Sequence, residues 1–197
     1  LASQSKFSFL FLLAQTSCFM PAFPSVAALG PMLSQGQMVL LPSTYGWLLL
    51  ADSRQETLLS TLFTHINASI KNPYTLFFAE AGLMANYAEG IADVAWDIIE
   101  YEEKALRVFF QKVKNLPLLP ESPVALSLVK EGLLQQLLHR FGRPLLGIEV
   151  PGNQAKDLPA ALLPLIAPDC LQAQPLPPRQ KSVLMRLGPL GEVEIWK

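Results

Sequence analysis

Between residues 36 and 78 the chain sets short apolar runs against polar breaks, in lengths that suit strand, turn, strand, helix and strand. The run at 38–41 stops at Pro42, and Ser43, Thr44, Tyr45 and Gly46 follow as a polar turn before the run resumes at 47–51. Four or five apolar residues bounded by turn signals suit a strand buried on both faces. Asp52 and Ser53 offer an N-cap to a helix in which Leu58, Leu59, Leu62, Phe63 and Ile66 recur at helical spacing. Pro73 closes the next loop, and 74–79 is a third apolar strand.

The same alternation continues on both sides. Upstream, Pro21 and Pro24 precede a helix at 26–35 with Ser25 as its N-cap. Downstream, helical spacing covers 80–87 and 93–103, with Asp97 and Glu100 outward and Glu100 four residues before Lys104, a supportive ion-pair order. Strands follow at 106–113 and 124–129, separated by a Pro-punctuated loop. A leucine-rich helix at 132–141 ends at Gly142, and a strand runs over 145–150. Pro159 and Pro164 break a helix at 155–166 into two short pieces. A linker at 175–180 leads to a terminal strand pair, 182–187 and 193–196, around a Gly-Pro-Leu-Gly turn. Strands alternating with helices predict an α/β fold.

Composition narrows the class. A chain of 197 residues suits one domain with a substantial core, and 51% apolar against 16% charged residues, with mean hydropathy +0.31, argues against disorder. A net charge of −1 and a pI near 6.2 offer no basic footprint for nucleic acid. Cys18 and Cys170 lie far apart and read as free thiols of a reducing compartment, so the expected location is cytoplasmic, though a single bridge would also fit. No cluster has metal-ligand spacing. Residues 1–25 form an N-terminal extension, read either as a buried strand or helix or as a targeting segment. Its apolar run at 7–14 is too short for a membrane span, so no membrane partner is expected.

The element order, together with Gly36, Pro42-Ser43, Asn72-Pro73-Tyr74, Gly142-Arg143-Pro144-Leu145 and Ser182, resembles the YrdC-like family. Members of that family are threonylcarbamoyl-adenylate synthases, which supply the activated group for threonylcarbamoyladenosine in tRNA modification. The resemblance covers 26–197. It implies a single-domain α/β fold, a twisted mixed sheet of about seven strands flanked by helices. It also implies a reaction in which threonine captures bicarbonate and the carbamate is adenylated by ATP, with ATP and Mg as the associated cofactors. Such chemistry gathers several negative charges and needs cations aimed at them.

At the family's cationic positions this chain departs from the pattern. Ile66, Asn67 and Ala68 replace its Lys-x-Arg, Asn72 replaces the lysine of its Lys-Pro-Leu, and Ser127 replaces its strand arginine. Its Ser-x-Asn turn reads Glu149-Val150-Pro151, where the carboxylate would repel phosphate. Its Pro-Gly-Pro-x-Thr falls near Glu103 to Arg107, with none of it visible. A hydrogen bond to a charged group contributes roughly 1.5–3 kcal/mol, so three lost bonds amount to about 4–9 kcal/mol if they add.

The expected ligand-binding residues are therefore Ser43 and Thr44 in the turn, Lys71 one residue short of the family lysine, and Ser182. No catalytic residue and no metal ligand is assigned, and enzymatic activity is left open. Three readings follow. The leading one is a pseudoenzyme, a binding or accessory module for a nucleotide or a threonine-like small molecule. The second is an active synthase with charges relocated to Lys71, Arg107 or Arg143. The third is binding of tRNA or double-stranded RNA through Lys112, Lys114, Lys130, Arg140 and Arg143. His65 and His139 read as helix-end cations, the tryptophans as packing residues, and Asn67-Ala68-Ser69 as a glycosylation sequon that matters only in a secreted chain.

Overall fold

The computed structural model describes residues 23–69, 71–90, 93–110, 112–150, 158–171, 182–188 and 192–196. The expectations for the N-terminal extension before residue 23, for the linker at 175–180 and for the start of the helix at 155 lie outside these residues. Among the described residues are eight strands in one sheet rather than about seven. They are β1 (Val39–Ser43), β2 (Gly46–Asp52), β3 (Tyr74–Phe78), β4 (Leu106–Phe109), β5 (Val124–Leu128), β6 (Leu145–Glu149), β7 (Val183–Leu187) and β8 (Val193–Trp196). Their spatial order is β1-β2-β6-β3-β5-β4-β7-β8. The sheet is mixed: β3–β5 and β4–β7 are parallel and the remaining neighbours antiparallel. The helices are α1 (Val26–Ser34), α2 (Glu56–His65), α3 (Ala81–Met84), α4 (Asp93–Tyr101) and α5 (Gly132–Phe141).

β1 continues through Pro42 instead of stopping there, because it is an edge strand. Ser43 and Gly46 close a two-residue turn, so the next rung, Pro42–Trp47, is a non-hydrogen-bonded one. The proline nitrogen therefore faces outward, where no ladder bond is lost. The start of that edge is covered: Met38 donates to the Leu165 carbonyl and accepts from Ala167 N–H. Gly46 adopts φ +115°, which side-chain-bearing residues rarely adopt, and so ends the turn in register. β2 is buried along its whole length, as its unbroken apolar run requires.

The helix after β2 starts later than its cap signal suggests. Glu56 opens it, Gln55 holds the cap position, and neither Asp52 nor Ser53 caps it. Both are buried instead. Asp52 accepts from Arg54 N–H and pairs with Arg143, while the Ser53 hydroxyl donates to the Pro144 carbonyl. These contacts tie the end of β2 to the start of β6. α3 is a single turn, and α4 ends at Tyr101, which leaves Lys104 off the helix and dissolves its expected pairing with Glu100. β4 stops at Phe109, and Val113 only bridges to Ala88. Among the described residues beyond Leu158 are two 3-10 turns, Leu163–Leu165 and Pro168–Leu171. The leucine helix ends as expected, with Gly142 in the left-handed region at φ +71°.

The registers sort the residues onto two faces. Glu149 lies opposite Leu48, Gly147 opposite Thr75, and Phe77 opposite both Leu145 and Ser127. Strand alternation therefore puts Glu149, Gly147, Thr75, Phe77 and Ser127 on one face. Tyr74 and Phe78 point to the other. There the Tyr74 hydroxyl donates to the Ile66 carbonyl at the end of α2, Phe63 packs edge-on against its ring, and Phe78 meets Tyr87. That face is aliphatic and aromatic, while the first carries the buried polar residues.

Cys170 is buried in the second 3-10 turn, and burial, reinforced by Asp169 but opposed by a backbone hydrogen bond from Leu40, pushes its thiol up to about 11 from 9.0. A folded-state value above the unfolded one contributes stability below pH 9 that is lost as pH rises through 11. The expected loss is on the order of 2–3 kcal/mol, from a shift of about two pH units. Urea melts at pH 8 to 11 should show this decline, and Cys170→Ala should lessen it, most clearly below pH 10 where the buried tyrosines do not yet contribute.

Candidate functional site

An arginine keeps its proton even when buried, so its charge in the middle of an apolar strand has to find a partner. Arg107, inside Leu-Arg-Val-Phe on β4, is 2% exposed. Val108 lies opposite Leu126, so the adjoining residues Arg107 and Ser127 share the polar face across the β4–β5 ladder. From there the guanidinium reaches over β5 and β3 toward β6, and its Nη2 lies 3.5 Å from Glu149 Oε2. Contact between strands separated by two others means that the two long side chains arch over the centre of the sheet.

Tyr45 completes the cluster. It belongs to the β1–β2 turn but is buried, with its ring 5.0 Å from the Arg107 guanidinium carbon and edge-on to Phe77 at 5.4 Å. The Ser127 hydroxyl donates to the Leu106 carbonyl at 2.7 Å. Its single proton is thereby used, so at the 3.0 Å contact Tyr45 Oη donates to Ser127 Oγ. Burial raises the Tyr45 pKa, while Ser127 and Arg107 pull it down. Glu149 is one-fifth exposed, and its backbone carbonyl accepts from the Asn72 side-chain amide at 2.8 Å. The result is a guanidinium, a carboxylate and two hydroxyls on one face, in a form able to hold a small ligand with charges of both signs.

The residues expected from sequence fall around this cluster. Ser43 spends its hydroxyl inside the turn, donating to the Gly46 carbonyl and accepting from Tyr45 N–H. It thereby holds the turn that delivers Tyr45. Thr44 is half-buried in the same turn, Lys71 is exposed in the loop before β3, and Ser182 is half-buried just before β7. None of them meets the Arg107–Glu149 pair in a hydrogen bond among the described residues. Of the charges weighed as relocated, Arg107 stands in the cluster. Arg143 is held by Asp52 at 2.8 Å and lies over the Phe141 ring. Tyr45, unlike the others, carried no sequence signal beyond its place in a turn.

Two cavities among the described residues lie away from the cluster. One of about 510 Å³ opens between Phe63, Ile66 and Tyr74 and the loop at 118–122. Another of about 500 Å³ lies beside Phe109, Arg186 and Trp196. Among the described residues the cluster's guanidinium faces a carboxylate, a charge that repels phosphate. No group of three or more His, Cys, Asp or Glu converges among the described residues. No described helix is long and apolar enough to cross a membrane.

A single mixed eight-stranded sheet with a polar cluster on one face defines an α/β protein of a recurrent class. No family model matches the sequence, and no curated protein matches it. Solved structures do match its architecture. P. abyssi Sua5 complexed with L-threonine aligns with a TM-score of 0.63 at 14% identity, over 82% of this chain and 50% of that one. Full-length HypF in a phosphate- and nucleotide-bound form gives 0.62 at 14% identity, over 89% and 29%. E. coli YciO gives 0.60 at 14% identity, over 82% and 83%. The chain has a YrdC-like fold. It spans about half the length of Sua5 and less than a third of HypF.

Proposed function

We propose that this protein is a binding module on a YrdC-like scaffold, which holds a small zwitterion of the threonine kind and does not run the ATP-using synthase reaction. The observation that carries this reading is the Arg107–Glu149 pair beside the Ser127 and Tyr45 hydroxyls. An amino acid brings a carboxylate for the guanidinium, an ammonium for Glu149 and, if hydroxylated, a group for Ser127 or Tyr45. The like-folded Sua5 has been solved with L-threonine, which makes that amino acid the natural probe. ATP is disfavoured because Ile66, Ala68 and Asn72 stand where the family resemblance expects cations.

Calorimetry with L-threonine should give saturable binding, and ATP, threonine and bicarbonate together should release no pyrophosphate above the blank. Pyrophosphate release at enzyme-like rates would sink the non-catalytic reading.

One observation favours the alternative of an active synthase. The resemblance sets the family's strand arginine against Ser127 and its Pro-Gly-Pro-x-Thr against residues 103–107. Arg107 therefore puts a guanidinium one strand away from the position that the resemblance gives the strand arginine. That reading requires ATP to raise the melting temperature and Arg107→Ala to abolish the rise. RNA binding has less support: Lys112 pairs with Glu89, Arg143 with Asp52, and Lys130 donates to the Glu100 and Glu102 carbonyls.

A further inference from the structure

We infer that the cavity beside β4 and β8 is a second binding site, for a free aromatic α-amino acid. Its volume of about 500 Å³ lies within the roughly 300–1,000 Å³ of small-molecule sites. Phe109 and Arg186 are neighbours across the parallel β4–β7 ladder, on the face that also carries Arg107. Across β7, the Trp196 ring of β8 lies 5.0 Å from the Phe109 ring and is tilted to it by 52°. Of the lining residues, Phe109 and Val124 are buried and form the floor, and Phe110 and Trp196 are half-buried. Arg186 and Glu121 are exposed and stand at the mouth.

The charges select the ligand. Among the described residues neither the Arg186 nor the Glu121 side chain takes part in an ion pair or a hydrogen bond. Glu194, opposite Arg186 on β8, is not part of the cavity lining and does not close on it. A guanidinium and a carboxylate thus face one aromatic cavity with their bonding capacity unspent. A flat ring packs against Trp196 and Phe109, a carboxylate answers Arg186, and an ammonium answers Glu121. A polyanion such as a nucleotide finds no such match, because one guanidinium would oppose several negative charges and Glu121 would repel them. The site is separate from the one proposed for threonine: neither Arg107 nor Glu149 lines it, and threonine has no ring to offer.

Calorimetry with L-tryptophan, tryptamine and indole-3-propionate tests each part, circular dichroism confirming the fold of every variant. Wild type should bind tryptophan about tenfold more tightly than tryptamine, which lacks the carboxylate, and than indole-3-propionate, which lacks the ammonium. Arg186→Met should remove the preference over tryptamine, and Glu121→Gln the preference over indole-3-propionate. Both positions are exposed, so the sheet tolerates either change. Trp196→Leu should weaken tryptophan by about fivefold, the scale of a lost aromatic pair. Absence of saturable tryptophan binding overturns the inference, as do preferences that survive in the two folded charge variants. Displacement of tryptophan by L-threonine overturns it too, since both would then share one site.

Discussion

Exchanging Gly147 for alanine lowers the unfolding free energy by about 1–3 kcal/mol, the usual cost of forcing an extra methyl into a packed core. Gly147 lies on β6 between β2 and β3, beneath the polar face. A Cβ there would come to 2.6 Å from Leu50 Cδ2, 3.0 Å from Phe77 Cε2 and 3.2 Å from the Leu49 carbonyl oxygen. The leucine methyl can turn aside. The carbonyl belongs to the β2 backbone, and the Phe77 ring is wedged edge-on against Tyr45. Relief therefore has to come from Phe77, and Tyr45 shifts with it. Urea melts should show the stability loss, and calorimetry should show threonine binding weakened at a residue that touches no ligand. Wild-type stability together with wild-type affinity would mean that the sheet absorbs the methyl without moving the cluster.

Arg107→Met keeps the apolar stem of the side chain but removes the guanidinium and its charge. Its expected cost is about 2 kcal/mol or more, since a broken buried pair leaves a carboxylate without its cation, and the one-fifth exposure of Glu149 lets water recover part of the full penalty. The contact with the Tyr45 ring is lost as well. Threonine binding should fall by about ten- to a hundredfold, the scale of a lost charge-assisted bond. The double variant with Glu149→Gln should be less destabilised than the two single losses added together, by about 1 kcal/mol or more. Strict additivity in chemical denaturation would mean that the two groups do not interact in solution.

Much of the frame was legible before any coordinates. The runs at 47–51 and 74–79 became β2 and β3, the leucine helix and its Gly142 stop stand where the spacing puts them, and the terminal pair around Gly-Pro-Leu-Gly is β7 and β8. These are local signals, carried by apolar period and turn chemistry. The errors fell where tertiary position overrides local chemistry. Pro42 ends a central strand but not an edge one, and Asp52 and Ser53 are good caps that β6 recruits instead. The site was half legible. Arg107 stood in the sequence reading as one of three relocated charges, and Ser127 and Glu149 as departures from the family pattern. Tyr45 in a turn gave no hint that it folds onto the sheet.

The order of apolar runs and breaks was enough by itself to determine an α/β chain of this layout, because strand and helix periods are properties of a dozen consecutive residues. Which polar residues meet was decided only by strand order and register. Residues 45, 107, 127 and 149 are far apart along the chain, and only a sheet in which β6, β3, β5 and β4 lie side by side gathers them on one face. The charge that the cluster presents, a guanidinium already facing a carboxylate, is therefore a property of the folded sheet and of no segment within it.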